Sequence, residues 1–328
     1  MLQLHIHHLL LLLLGIMISW ADAASVSSSN NIITLALSGC PHSCGNISIL
    51  YPFGIGVGCY RNQSSGSGGG FEIICNASFK PPKPFFIRSN TTLEVIEIEA
   101  SSEVVHVRNS VSYKCFNDSR SHEASMDLDG TPFTISDDRN QFFSLGCDTI
   151  AVIETCKDGL CFVGSVGWSK CRTSAEVKDA TCQGIGCRSD DISKHLKNFD
   201  VYIIDRAINS NSSFSSNGTF SEFDSTCRYA FIGDHKRYKF SKADLSLDYM
   251  NFNHKIGDEV PLVLDWVAGN ETSCEKAKLS MGKPNPTFAC GDNTDCDDSS
   301  GIGYRCKCQP GYEGNPYLPH GCQGKQGF

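Results

Sequence analysis

The residues of this chain with the widest chemical repertoire are its 18 cysteines. A thiol can attack a substrate, ligate zinc or form a disulfide, and the redox compartment decides among these roles. Cys156 with Cys161, and Cys182 with Cys187, also have a short spacing that zinc ligands can use. The even count and the N-terminal leader favour disulfides, which leaves no cysteine as a spare nucleophile.

The N-terminus predicts the compartment. An apolar core that begins with the leucine run 9–14 is followed by Ala21-Asp22-Ala23, small residues of the kind that a signal peptidase reads. We expect a signal peptide at residues 1–23, although the segment before the leucines has no Lys or Arg, so an uncleaved anchor is the alternative. No later stretch has the apolar length of a membrane helix, and we expect a secreted, extracellular protein.

Glycosylation signals and charge agree with this compartment. The sequence has eight N-x-S/T motifs, at Asn46, Asn62, Asn76, Asn90, Asn117, Asn211, Asn217 and Asn270. They predict a glycoprotein with these loops at its surface. A net charge of −8 argues against nucleic acid and anionic membranes as partners, so an acidic ligand would need a local basic patch.

Catalytic signatures are absent from the sequence. It has no G-x-S-x-G elbow and no H-E-x-x-H pair, and its carboxylates cannot be paired across a cleft from sequence alone. We therefore predict a non-catalytic protein.

The hydrophobic pattern predicts a mostly β, disulfide-rich fold in three segments: a small β-rich N-terminal module at 34–110, a mixed, β-rich middle domain at 111–268 and a C-terminal module at 270–323. One amphipathic helix is predicted at 190–199, capped by Ser189 or Asp190. The predicted strands are 71–75, 93–99, 104–107, 142–145, 151–154, 201–204, 229–232 and 261–267.

The last six cysteines resemble an EGF-like domain. A single residue separates Cys306 from Cys308, and Gly311-Tyr312-Glu313-Gly314 follows. Spacing alone allows fifteen connectivities. The resemblance implies first–third, second–fourth and fifth–sixth pairing, which gives Cys274–Cys296, Cys290–Cys306 and Cys308–Cys322. In a segment this small the bridges supply most of the stability, about 2–4 kcal/mol each.

The N-terminal module carries a second resemblance. It contains C-x3-C-G-N from Cys40, then Tyr51-Pro52-Phe53-Gly54-Ile55-Gly56, Gly58-Cys59 and F-x-I-x-C from Phe71. This order resembles the galacturonan-binding module of plant wall-associated receptor kinases, and the EGF-like tail 311–318 is typical of the same family. The resemblance implies a receptor ectodomain that binds cell-wall pectin or oligogalacturonides and is linked to cell-surface signalling.

Full family members continue into a membrane helix and a Ser/Thr kinase. The present sequence has no kinase Gly-rich loop with its lysine, no H-R-D and no D-F-G. We therefore expect the kinase to be missing from this chain and the chain itself to have no enzymatic activity.

A pectin site requires Lys or Arg for the carboxylates and aromatic faces for the sugar rings. We predict that Lys80, Lys83 and Arg88, around the proline turn 81–84, contact the carboxylates. A solvated surface cluster is the alternative. The further candidates are Arg61 as a cation and Tyr51, Phe53, Tyr60 and Phe71 as stacking residues. Core packing is the alternative for these aromatics, and for Trp168 and Trp266.

No cofactor or bound metal is predicted. The segment before Cys274 lacks the acidic cluster of calcium-binding EGF modules, so calcium is expected only as a bridge between carboxylates and pectin. The alternative function is a secreted protein-interaction module that binds a receptor ectodomain or a peptide through its EGF-like end.

Overall fold

The structure is a computed structural model that describes residues 35–62, 70–88, 91–99, 104–115, 120–157, 159–171, 173–204, 227–269, 271–282, 287–299 and 301–325. The predicted signal peptide lies outside these residues. Strands dominate the fold, as predicted. The described helices are α1 (Tyr249–Glu259), α2 (Cys274–Lys278) and two 3-10 turns, Ser174–Glu176 and Lys242–Ser246. Within the described residues, no helix has the length and apolarity needed to cross a membrane.

The strands are short and follow one another closely. The first ten are β1 (Ser43–Cys44), β2 (Ile47–Ser48), β3 (Ile74–Asn76), β4 (Lys83–Arg88), β5 (Thr91–Glu99), β6 (Val104–Val107), β7 (Ser112–Cys115), β8 (Ser121–His122), β9 (Ala124–Asp127) and β10 (Phe133–Ile135). The others are β11 (Asn140–Leu145), β12 (Thr149–Lys157), β13 (Leu160–Ser169), β14 (Cys187–Asp191), β15 (Asn198–Ile204), β16 (Cys227–Asp234), β17 (Leu262–Trp266), β18 (Thr294–Asp297), β19 (Arg305–Cys308), β20 (Tyr312–Gly314) and β21 (Cys322–Gly324).

Three larger antiparallel sheets organise the chain. Their strand orders are β10-β17-β6-β5-β4-β3, β14-β11-β16-β7-β8 and β13-β12-β15-β9. The six-stranded sheet takes four strands from the predicted N-terminal module and two, β10 and β17, from the predicted middle domain. The described residues from 35 to 325 belong to one compact unit. The six-stranded sheet therefore contains strands from both sides of the predicted boundary near residue 110.

The predicted helix at 190–199 is wrong. Its first residues end β14, which pairs antiparallel with β11, and its last residues begin β15. Arg188 and Asp190 are two apart on β14, so both point to one face, where the guanidinium donates to the carboxylate. His195 has a φ of 57°, in the left-handed region that a right-handed helix excludes.

The longer of the two described α-helices, α1, is not predicted from the sequence. Asp248 caps α1 by accepting hydrogen bonds from the backbone N–H groups of Met250 and Asn251. The helix buries Phe252 and Ile256 completely. Its short apolar face, interrupted by polar residues, gives a weak periodic signal.

Two hydrophobic cores lie between the elements. The larger contains an aromatic cluster in which Phe53 lies 5.3 Å from Phe71 and 5.6 Å from Trp266, centroid to centroid, and it extends to Tyr304 and Tyr317 of the EGF-like segment. The second is built from β11, β16 and α1. A continuous core therefore ties the N-terminal module to the C-terminal one.

All 18 cysteines form disulfides. The EGF-like segment has the pairing that its resemblance implies, Cys274–Cys296, Cys290–Cys306 and Cys308–Cys322. The two cysteine pairs with zinc-like spacing are bridges, Cys156–Cys161 and Cys182–Cys187. The remaining bridges are Cys40–Cys59, Cys44–Cys75, Cys115–Cys227 and Cys147–Cys171.

Candidate functional site

The proline turn presents a cationic, aromatic corner at the edge of the six-stranded sheet. It connects β3 to β4, although Lys83 and Pro84, predicted as turn residues, already belong to β4. Phe79 is 41% exposed, and its ring centroid lies 5.9 Å from that of Phe85. Lys80 beside it is exposed. We call Phe79, Lys80 and Lys83 the turn corner.

The two lysines of the turn corner differ in their partners. Lys83 places its Nζ 2.7 Å from Glu94 Oε1 and 5.1 Å from the Phe79 ring centroid. In the described part of the chain Lys80 has no carboxylate partner. A ligand carboxylate can therefore pair with Lys80 directly, whereas it would share Lys83 with Glu94.

Register explains why Glu94 reaches Lys83. Phe85 on β4 is opposite Glu94 on β5, so Lys83 is the diagonal neighbour two residues away on the same face. Glu94 also lies 4.0 Å from Arg108, which makes a closer ion pair, 2.6 Å, with Asp258. Glu94 thus partly neutralises two basic residues of this module, Lys83 and Arg108.

The other predicted site residues have different positions. Arg88 ends β4, and its side chain lies outside the described residues. Arg61 donates hydrogen bonds to the carbonyls of Ala268, at 3.1 Å, and Thr287, at 2.6 Å. The guanidinium thus joins the N-terminal module to residues beside and within the EGF-like segment.

The predicted stacking aromatics lie mostly in the core. Phe53 and Phe71 are 2% and 0% exposed, so neither ring face is open to a sugar. Tyr60 is half-buried, and burial, with the adjacent Glu72 carboxylate, raises the pKa of its phenol. Trp266 is buried but Trp168 is 51% exposed, so the core alternative holds for Trp266 and not for Trp168.

Tyr51 belongs to a cleft where the two motif-bearing segments meet. The cleft is lined by residues 50–53 of the N-terminal module, Trp266, and residues 314–317 of the EGF-like tail. Asn315 Nδ2 donates to the carbonyls of Leu35, at 2.9 Å, and Tyr51, at 2.6 Å. Its Oδ1 accepts from the Tyr317 N–H. The side chain of Asn315 therefore joins the N-terminal module to the EGF-like tail, and we call these three hydrogen bonds the clasp.

Comparison with known proteins identifies relatives of this sequence. Residues 40–109 match the family described as wall-associated receptor kinase galacturonan-binding. Wall-associated receptor kinases 1 and 2 of Arabidopsis thaliana are 30% and 31% identical to the chain, and each alignment covers 87% of it. The chain is related to the wall-associated receptor kinases. Wall-associated receptor kinase-like 6 of the same plant is 30% identical over 86% of the chain. No solved structure matches.

The family relationship concerns only part of each relative. The chain spans about a third of the length of wall-associated receptor kinases 1 and 2, 34% in both cases. The matched module contains β1 to β6, and so includes the turn corner and Tyr51. The aligned part is the ectodomain region, and no kinase domain is indicated in this chain.

Four aspartates of the EGF-like segment, Asp292, Asp295, Asp297 and Asp298, have internal partners. Asp297 pairs with Lys307 at 2.7 Å, and hydrogen bonds from Lys307 and Ser299 lower the pKa of its carboxyl. Asp298 accepts the Cys274 N–H. In the described parts of the chain, no three His, Cys, Asp or Glu side chains are grouped to hold a metal. A calcium bridge to pectin stays a prediction.

Three of the eight predicted glycosylation sites lie within the described residues. Asn46 and Asn62 are exposed. Asn76 is half-buried, and its Oδ1 accepts the Ser78 N–H at 2.9 Å. The other five, Asn90, Asn117, Asn211, Asn217 and Asn270, lie outside the described residues.

Proposed function

We propose that this chain is an extracellular, non-catalytic module that binds the acidic polysaccharide of the plant cell wall, galacturonan or its oligomers. The observation that carries the proposal is the match of residues 40–109 to the galacturonan-binding family. As the ectodomain portion of a receptor, it would couple wall contact to signalling at the cell surface.

The turn corner supplies the chemistry that such a ligand requires. Galacturonan presents one carboxylate per sugar and apolar ring faces, which suit a lysine beside an exposed aromatic ring. We assign the carboxylate contact to Lys80 first and Lys83 second, because Glu94 already holds Lys83. Phe79 offers the ring face. Solvent-exposed ion pairs contribute about 0.2–1 kcal/mol each, so the affinity must come from contacts with several sugars of one galacturonan molecule.

Retention on immobilised polygalacturonate tests the proposal. Lys80→Gln with Lys83→Gln should weaken retention roughly two- to thirtyfold, the effect of losing two exposed ion pairs of about 0.2–1 kcal/mol each. The matched control is Lys194→Gln with Lys239→Gln, which removes the same charge from exposed positions elsewhere. Added salt should weaken binding to the wild type, and methyl-esterified polygalacturonate should bind poorly because its carboxylates are blocked.

Equal loss in the turn-corner and control variants would refute the assignment to the turn corner. Absent or salt-insensitive retention of the wild type would refute galacturonan binding itself. That second result would favour the alternative, a protein-interaction module that acts through its EGF-like end.

A further inference from the structure

Strand β13 is an exposed edge with unusual composition. It is the terminal strand of the sheet β13-β12-β15-β9 and pairs with β12 along one side. Its ten residues, LCFVGSVGWS, include no charged side chain and no proline. Soluble proteins usually protect a long edge strand with a charge, a proline or a covering segment.

The outer side of this strand is open along most of its length. Among the described residues, no backbone hydrogen bond joins 160–169 to a segment other than β12. The outer side of the strand is covered only from Lys170 onward, where the Lys170 N–H donates to Gly184 O and the Lys170 carbonyl accepts from the Gly186 N–H. The unpaired N–H and C=O groups between Leu160 and Trp168 can thus accept another strand.

The side chains of β13 add apolar surface to this edge. Five large apolar residues are more than half exposed: Leu160 64%, Phe162 56%, Val163 61%, Val166 52% and Trp168 51%. Together they expose on the order of 500 Å², the size at which an apolar patch on a soluble protein marks an interaction site. Successive residues of a strand point to opposite faces, and the register shift opposite Ile153 and Glu154 places Val163 on the same face as Val166 and Trp168. Leu160 and Phe162 lie on the other face, so both faces of the strand expose apolar side chains.

We propose that β13 is a self-association edge: two copies of this chain pair their β13 strands antiparallel about a two-fold axis near Gly164. This arrangement sets the Leu160 end of each strand against the Trp168 end of the other and joins two four-stranded sheets into one of eight. Since residues 160–169 carry no charge, no like charges meet within the paired strands.

The area available fits a modest dimer. Two copies would bury at most about 1,000 Å² of apolar side chain, the whole exposed area of the two strands, plus the paired backbone, which is near the lower limit of about 1,200 Å² for specific interfaces. We therefore expect a dissociation constant of about 1–100 µM, a weak association that a tethered or wall-concentrated protein would favour. An acidic sugar fits the same face less well, because Glu154 and Asp200 lie beside Val163 in the neighbouring strands.

Sedimentation velocity on the secreted glycoprotein, from about 1 to about 100 µM, tests this proposal. The wild type should show a concentration-dependent monomer–dimer equilibrium. Phe162→Lys with Val163→Lys places charge on both faces of the strand and should raise the dissociation constant at least tenfold. The matched control is Met250→Lys with Leu279→Lys, which alters equally exposed apolar residues elsewhere and should change nothing.

Near-UV circular dichroism verifies that each variant is folded, and Leu160→Lys, at the exposed strand end, provides a milder second variant. Hydrogen exchange should show protection of residues 160–168 that grows with protein concentration. A wild type that stays monomeric throughout overturns the proposal, as does a dimer that the lysine variants leave unchanged. A monomer whose polygalacturonate binding is lost in Trp168→Ala would assign the face to sugar and also overturn it.

Discussion

Replacing Asn315 by alanine tests whether the clasp between the modules stabilises the fold. The side chain is 5% exposed and makes three hydrogen bonds, two as donor and one as acceptor. Leu35 O retains a second partner, the Tyr51 N–H. The substitution therefore leaves the part-buried Tyr51 carbonyl and the buried Tyr317 N–H without these bonds, which should lower the free energy of unfolding by about 2–4 kcal/mol.

Guanidinium unfolding under oxidising conditions measures this loss. Trp266 is a local probe because its ring lies 5.0 Å from Tyr317, and a Trp168→Phe background removes the exposed indole from the signal. Hydrogen exchange should locate the destabilisation in the Tyr51 and Tyr317 segments.

Asn315→Asp distinguishes the donor role from simple side-chain volume. The aspartate keeps an acceptor for Tyr317 N–H but turns a second acceptor toward the Leu35 and Tyr51 carbonyls. It should therefore destabilise at least as much as alanine. If both variants unfold within about 0.5 kcal/mol of the wild type, the clasp contributes nothing and the reasoning fails.

Two further substitutions test the packing of the hydrophobic core and the pH dependence of stability. Phe53→Ala should cost about 3–5 kcal/mol in unfolding and Phe79→Ala under about 1 kcal/mol, because the first ring is buried and the second 41% exposed; equal costs would contradict this. Burial and the nearby Arg237 charge lower the pKa of His106, and they outweigh a hydrogen bond to Glu99 that raises it. Neutral His106 therefore contributes its full stability above the unfolded pKa of about 6.5, and this contribution declines as the pH falls below that value. Melting temperatures between pH 7.5 and pH 5 should fall further in the wild type than in His106→Gln, and parallel curves would refute the assignment.

The sequence predicts strands well where apolar and polar residues alternate. Residues 93–99 and 104–107 lie in β5 and β6 as expected, because the pleat imposes the two-residue period that the apolar side chains follow. The helix predicted at 190–199 is wrong because the same spacing of apolar residues also fits two strands joined by a turn at His195. The pairing of β14 with β11 stabilises the strand at the start of this segment instead of a helix.

Only the part of the candidate site that is formed by residues close in sequence could be predicted. The lysines of the turn corner follow from composition beside a proline turn, and the Glu94 partner follows once the register of β4 and β5 is known. The Arg61 contacts could not be predicted, because its acceptor carbonyls are 207 and 226 residues away in sequence. The exposure of Trp168 depends on β13 being an edge, a property of topology.

The motif residues that hold the fold are distinct from the residues that we propose contact the ligand. Cys44 and Phe53 are buried, and Tyr51 binds Asn315 through its backbone. These residues hold the N-terminal module in shape and clasp it to the EGF-like tail. Lys80 and Phe79 lie outside the motif, at the surface. We therefore expect a relative that shares the motif to share the scaffold, and we expect substitutions in the turn corner to alter the proposed polysaccharide binding without disturbing the fold.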